Sequence, residues 1–242
     1  MEKAFKDFLN NPYAGDTVHK FRGDTRKLRS VLNLLKKRIA NENYQELNQP
    51  LRDFGMLFSN LREYDVLIEM CSNVAKEHSD LSSHYRELFS HLHSERYDEM
   101  YKVLNIIAEQ GTGERMEKVL NAARGIEFDT NDLNGHIEKR LVKRYKKLMT
   151  GYNSLDSNNY ERVHQIRKDG KKLRFSAKYL GKETSLDHKK MEKEAKAVQD
   201  ELGEATDAHV NHTLLNNFAT TVDDDNVKEL FKQIAVLVHE DK

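Results

Sequence analysis

The chain of 242 residues carries 40 Lys and Arg against 40 Asp and Glu, with 38% hydrophobic residues, two prolines and one cysteine. A neutral total argues against a protein that coats nucleic acid at large, and no apolar run approaches the ~18 residues of a membrane span. The lone cysteine, Cys71, excludes an intrachain disulfide and fits a reducing cytoplasm, and Met1 to Lys6 has no apolar secretory core.

Scarce proline and glycine, with Leu, Lys, Glu and Ala abundant, favour long helices. In chain order the pattern predicts a short helix over 2–10, closed by Asn10-Asn11-Pro12, then one from Thr17 to Ile39 with Asp16 or Thr17 as N-cap. A long helical stretch over 44–75 follows, with Pro50 in its first turns or marking a break. Ser79-Asp80 caps a helix reaching Glu109, Gly111-Thr112-Gly113 breaks it, a shorter helix follows, and 125–132 connects two halves. The second half reads as a helix over 133–150 stopped by Gly151, one from an Asn158/Glu161 capping pair to Gly181, and one over 185–220. A last helix opens at Asp223-Asp224-Asp225, where acids suit the helix dipole. No window alternates with period two, so the predicted fold class is all-α.

One cationic motif occurs twice in this pattern. Val18-His19-Lys20-Phe21-Arg22-Gly23-Asp24-Thr25-Arg26-Lys27-Leu28-Arg29 recurs as Val163-His164-Gln165-Ile166-Arg167-Lys168-Asp169-Gly170-Lys171-Lys172-Leu173-Arg174, an offset of 145. A second pair, Phe58–Val66 and Leu202–Val210, aligns at an offset of 144. Two nearly equal offsets indicate an internal duplication, with halves 1–125 and 126–242 forming one domain.

At 100° per residue, His19, Arg22, Arg26 and Arg29 share one side of their helix, Lys37 extends the line, and Phe21, Leu28, Leu32, Leu35 and Ile39 lie opposite. His164, Arg167, Lys171, Arg174 and Lys178 repeat the stripe against Ile166, Leu173, Ala177 and Leu180. Arg140, Lys143, Arg144 and Lys147 mark a third stripe on the preceding helix. A single Lys/Arg-rich helix is commonly just a solvated face; matched copies are not. Like charges at these spacings repel by a few tenths of a kcal/mol per pair. A polyanion lying along them offsets that through charge-assisted hydrogen bonds of roughly 1.5–3 kcal/mol each. Gly23 and Gly170 cost roughly 1 kcal/mol each inside a helix and are expected to permit close helix approach.

H-x-x-R-x-x-x-[RK]-K-x-R in two halves, each followed by a Leu-Arg-Glu-Tyr-Asp-Val or Leu-Gly-Glu-Ala-Thr-Asp type of segment, resembles the CHAD family, the conserved-histidine α-helical domain. The resemblance implies two pseudo-symmetric helical bundles around a basic central pore that binds inorganic polyphosphate, often at granules. By motif position it implies His19, Arg22, Arg26, Lys27 and Arg29 with His164, Arg167, Lys171, Lys172 and Arg174 as pore-lining residues. The third stripe adds Arg140 and Arg144. Only 18 residues precede His19, so these two arginines have no evident counterpart in the first half.

Other signals weigh less. Glu192-Lys193-Glu194-Ala195-Lys196 matches the E-x-E-x-K signature of CYTH triphosphatases, a family often fused to CHAD domains, but that chemistry needs a strand and this run reads as helix. His209 and His212 are three apart, as metal ligands on a helix would be, yet surface or core roles suit them better; His84, His91 and His93 share no face. Cys71 reads as a buried thiol, and no Walker A loop or nucleophile–base set is present. The expectation is a stand-alone, non-catalytic polyphosphate binder with no metal and no cofactor, cytoplasmic and without membrane contact. Nucleic-acid backbone binding is the alternative, and a phosphoanhydride-processing enzyme the third reading.

Overall fold

The computed structural model describes residues 1–157 and 159–240, and every regular element among them is helical. In chain order these are α1 (Glu2–Asn10), α2 (Gly15–Leu35), α3 (Asn41–Leu57), α4 (Ser59–Glu77), α5 (Tyr85–Glu109), α6 (Thr112–Arg124), α7 (Leu133–Asn153), α8 (Tyr160–Leu180), α9 (His188–Thr221) and α10 (Asp225–Glu240). Short 3₁₀ turns over Lys36–Arg38 and Gly181–Glu183 follow α2 and α8.

The predicted 44–75 stretch is two helices, and the break falls at Phe58 while Pro50 sits inside α3. Phe58 is fully buried, with its ring 5.0 Å from Phe8 and 4.8 Å from Phe21. Burying an aromatic side chain is worth roughly 1.5–3 kcal/mol, enough to dictate where the chain turns. Ser79 and Asp80 do not cap α5, which begins at Tyr85 after a turn in which the Tyr85 hydroxyl donates to the His78 carbonyl at 2.9 Å. Gly151 is buried within α7, which runs on to Asn153. Asn158 lies outside the described residues; Asn159 caps α8, its side chain accepting the Arg162 N–H at 3.0 Å.

The chain divides into two compact units. The first comprises Met1–Arg22, Met56–Glu114 and Asp207–Lys242, the second Gly23–Gly55 and Arg115–Thr206. These units do not follow the halves 1–125 and 126–242, since each takes segments from both. In the first, α4 and α5 pack together with α10 on α5, around Leu67, Cys71, Leu88, Leu92, Phe218 and Phe231. In the second, α7 packs along α8 and the core is built from Leu34, Leu141, Leu148, Ile166, Leu173, Ala195 and Val198.

Candidate anion-binding site

Charge divides with the units. The segments of the second hold 28 Lys and Arg against 19 Asp and Glu, a net of +9; those of the first hold 12 against 21, a net of −9. The neutral total therefore conceals a strongly cationic unit.

Of the predicted site residues, His19 and Arg22 belong to the first unit. Arg26, Lys27, Arg29, Lys37, Arg140, Arg144, His164, Arg167, Lys171, Lys172, Arg174 and Lys178 belong to the second. Parts of both motif helices thus meet in one body. Leu34 on α2 and Ile166, Leu173 and Ala177 on α8 anchor them to a shared core. Gly170 lies at a helix contact, where a Cβ would stand 3.4 Å from the Ala195 carbonyl of α9. Gly23 does not: a Cβ there would meet nothing within 4 Å, so the expected helix contact exists in only one copy.

Arg144 ties three helices together. From α7 it donates to Asn33 Oδ1 on α2 at 2.7 Å, and to Ser176 Oγ and the Lys172 carbonyl on α8, the latter at 3.3 Å. The Ser176 hydroxyl in turn donates to the Lys172 carbonyl at 2.5 Å. Arg174 donates to Gln199 Oε1 at 3.1 Å and Arg29 to Asn48 Oδ1 at 3.3 Å. All these hydrogen-bond acceptors are neutral, and carboxylates act on Arg144 and Arg29 only through the more distant charges of Asp169 and Asp53. Elsewhere arginines are paired with carboxylates, as in Arg38–Asp129 at 2.6 Å and Arg96–Asp65 at 2.9 Å. The Nε atoms of Arg140 and Arg174 are buried and make no hydrogen bond among the described residues.

The lysines are treated differently. Asp169 pairs with Lys147 at 2.7 Å and with Lys172 at 3.8 Å, and Lys27 pairs with Asp24 at 2.7 Å. Lys37 and Lys178 are exposed.

Crowding of positive charge leaves its mark on protonation. Burial, and after it the charge of Arg140, holds the Arg144 pKa down at about 10. Arg29 is lowered in the same sense, chiefly by burial. Burial lowers His164, and Lys168, Lys171 and Arg167 push it further in that direction. A bound anion reverses the electrostatic part of each shift.

Glu192, Glu194 and Lys196 lie in α9, so their E-x-E-x-K spacing never forms the strand face that the chemistry needs. Glu194 accepts the Tyr145 hydroxyl at 2.5 Å and lies 3.9 Å from Lys190. Cys71 is fully buried and its thiol is pushed up to about 12. Among the described residues, His209 and His212 belong to no group of three or more potential metal ligands, and no helix is long and apolar enough to cross a membrane.

Asn33, Asn48, Ser176 and Gln199 escape a reading based on charge. Only Ser176 leaves a local trace, four residues beyond the Lys172 carbonyl it shares with Arg144.

A family model described as CHAD domain matches residues 1–216. Curated proteins give no match. Among solved structures, PptA from Streptomyces chartreusis matches with a TM-score of 0.73 over 98% of this chain and 88% of that one; at 11% identity the likeness is one of fold. The twice-repeated His–Arg–Lys motif, the all-helical architecture and a family match spanning nearly the whole chain agree, and the chain belongs to the CHAD domain family.

Proposed function

We propose that this chain is a non-catalytic module that binds inorganic polyphosphate through its second unit. The carrying observation is the net +9 of that unit together with arginines held by neutral acceptors. Such a surface keeps most of its arginine charge available for an incoming ligand. Polyphosphate is a flexible chain of negative charges with no base edge or sugar, and planar guanidinium donors suit its oxygens. Arg26 and Arg29 from the first motif copy, Arg140 and Arg144 from α7, and His164, Arg167, Lys171, Arg174 and Lys178 from the second copy form the grip. Lys27 and Lys172 contribute after giving up their aspartate partners. The reading places the protein in the cytoplasm, at polyphosphate granules where these form.

The test is the affinity for long-chain polyphosphate over a salt series, for the wild type and for Arg140→Gln/Arg174→Gln. Counterion release makes the logarithm of the binding constant fall linearly with the logarithm of salt, by roughly 0.7 per contact on a single-stranded polyanion. The double variant is expected to bind more weakly with a slope shallower by about 1.4, twice that value. An unchanged affinity and slope would remove these residues from the site. Equal displacement of polyphosphate by single-stranded DNA and RNA at matched phosphate would instead identify a general nucleic-acid backbone binder.

A further inference from the structure

The first unit contains a cavity of about 670 Å³ between the start of α2 and helices α4 and α5. Its volume falls within the usual range for small-molecule sites. We propose that it binds a nucleoside phosphate, with the base stacked at Tyr13 and the phosphate held by Lys20, Arg62 and His19.

Three features point there. The first is the rim. Tyr13, in the turn before α2, is 61% exposed, yet its ring rests 6.2 Å from Tyr97, which in turn lies 4.7 Å from Tyr101. Hydrogen bonding within this trio pushes the Tyr97 phenol up to about 12. The rings are tilted by 34° and 51° to one another, so Tyr97 and Tyr101 brace Tyr13, and the exposed Tyr13 ring is the one that meets a flat partner at the cavity.

The second feature is local charge. The unit is net −9, yet the cavity gathers Lys20, Arg62, Arg96 and two histidines against three acids. At the floor the buried Arg96–Asp65 pair is self-neutralised at 2.9 Å, and Arg96 also donates to the Pro12 carbonyl at 3.2 Å. These contacts hold the turn that carries Tyr13. The Lys20–Asp16 pair at 2.5 Å is exposed, and surface pairs of this kind are readily exchanged for a better anion.

The third is what the acids permit and exclude. Asp16 and Glu69 face the same cavity and offer acceptors for ribose hydroxyls or an exocyclic amine. The same carboxylates, with the acidic unit around them, repel a long uniform polyanion. A short ligand with one anionic end and one aromatic end satisfies both halves of the cavity.

The chain has no tryptophan, so Tyr13→Trp introduces a single fluorescent reporter at the rim. Titration with ADP is expected to quench that emission through stacking, and pyrophosphate to leave it unchanged. In calorimetry Tyr13→Ala is expected to weaken ADP about tenfold, the usual loss of one stacking platform, while binding of long-chain polyphosphate is unaltered. Tyr13 is exposed, so its loss leaves the fold intact, and far-ultraviolet circular dichroism checks this. Equal binding of ADP and pyrophosphate, an undiminished ADP affinity in Tyr13→Ala, or quenching by spermidine in place of ADP would each overturn the proposal. ADP binding abolished by Arg140→Gln/Arg174→Gln would also overturn it, since the nucleotide would then occupy the second unit. The polyphosphate reading stands or falls separately, on the salt series.

Discussion

Arg144→Met separates an arginine kept for stability from one kept for binding. The native guanidinium is held at about 10 against an ordinary 12.5, so its surroundings disfavour the charged form by about 3 kcal/mol. Its contacts with Asn33 and Ser176 return roughly 1.5–3 kcal/mol each, and the longer one to the Lys172 carbonyl adds less. The contacts outweigh the penalty by up to about 3 kcal/mol. Methionine keeps the apolar stem and removes both the penalty and the contacts, so the ligand-free protein is expected to lose no more than about 3 kcal/mol in urea denaturation. Polyphosphate affinity, read by anisotropy of a labelled chain at fixed salt, loses one charge-assisted contact and is expected to fall roughly 10- to 150-fold. A loss of stability above about 4 kcal/mol with unchanged affinity would show that Arg144 is a strut between α2, α7 and α8, and the argument from neutral acceptors would fail.

Protonation of His164 should couple to the same ligand. Its pKa is lowered in the folded protein, so the unfolded chain binds the proton first and ligand-free stability falls as pH drops below about 6.5. Bound polyphosphate favours the imidazolium, so affinity should rise over that same window by at most tenfold per pH unit, and His164→Gln should flatten the rise; an unchanged profile refutes the coupling. Gly23→Ala should stabilise the protein by about 1 kcal/mol in urea melts, because a methyl group there meets nothing within 4 Å. A destabilised Gly23→Ala would mean that the residue serves a contact the structure does not contain. Asp65→Ala should cost about 3–5 kcal/mol by leaving Arg96 buried and unpaired, whereas Asp65→Leu/Arg96→Met should recover most of it. A double variant as unstable as the single one would assign the loss to packing.

Helices α1, α2, α7 and α10 were legible from apolar periodicity, but of their caps only that of α10 was legible, where Asp224 Oδ1 accepts the Asn226 and Val227 N–H groups. Helix α2 begins at Gly15, so the expected caps Asp16 and Thr17 lie inside it. The break at Phe58, which the 44–75 reading did not contain, shows the limit. Pro50 is a local signal, while Phe58 turns the chain because rings from α1 and α2 bury it. Distance in sequence hides that cause. The units were hidden for the same reason: the repeated motif suggests a division near the middle of the chain, but packing gathers Gly23–Gly55 with Arg115–Thr206.

The candidate site was half legible for a more specific reason. A helical wheel locates charges, and it named Arg140, Arg144 and Arg174 as candidates. It says nothing about what stands opposite them. That question decides how much charge such a group can offer, because an arginine facing aspartate is a finished interaction and one facing asparagine is not. Arg96 and Arg38 are finished; Arg144, Arg174 and Arg29 are oriented and still charged. Net charge misled in the same way until it was divided between the units, for a sum of zero describes both an inert surface and a +9 body carried with a −9 one. Asn33→Asp therefore brings the two kinds of arginine to one experiment. It keeps the Arg144 contact and its geometry while supplying the missing countercharge. It is expected to stabilise the ligand-free protein and raise the Arg144 pKa, yet weaken polyphosphate binding about as much as Arg144→Met does. Binding equal to the wild type would mean that geometry alone, without free charge, makes the grip.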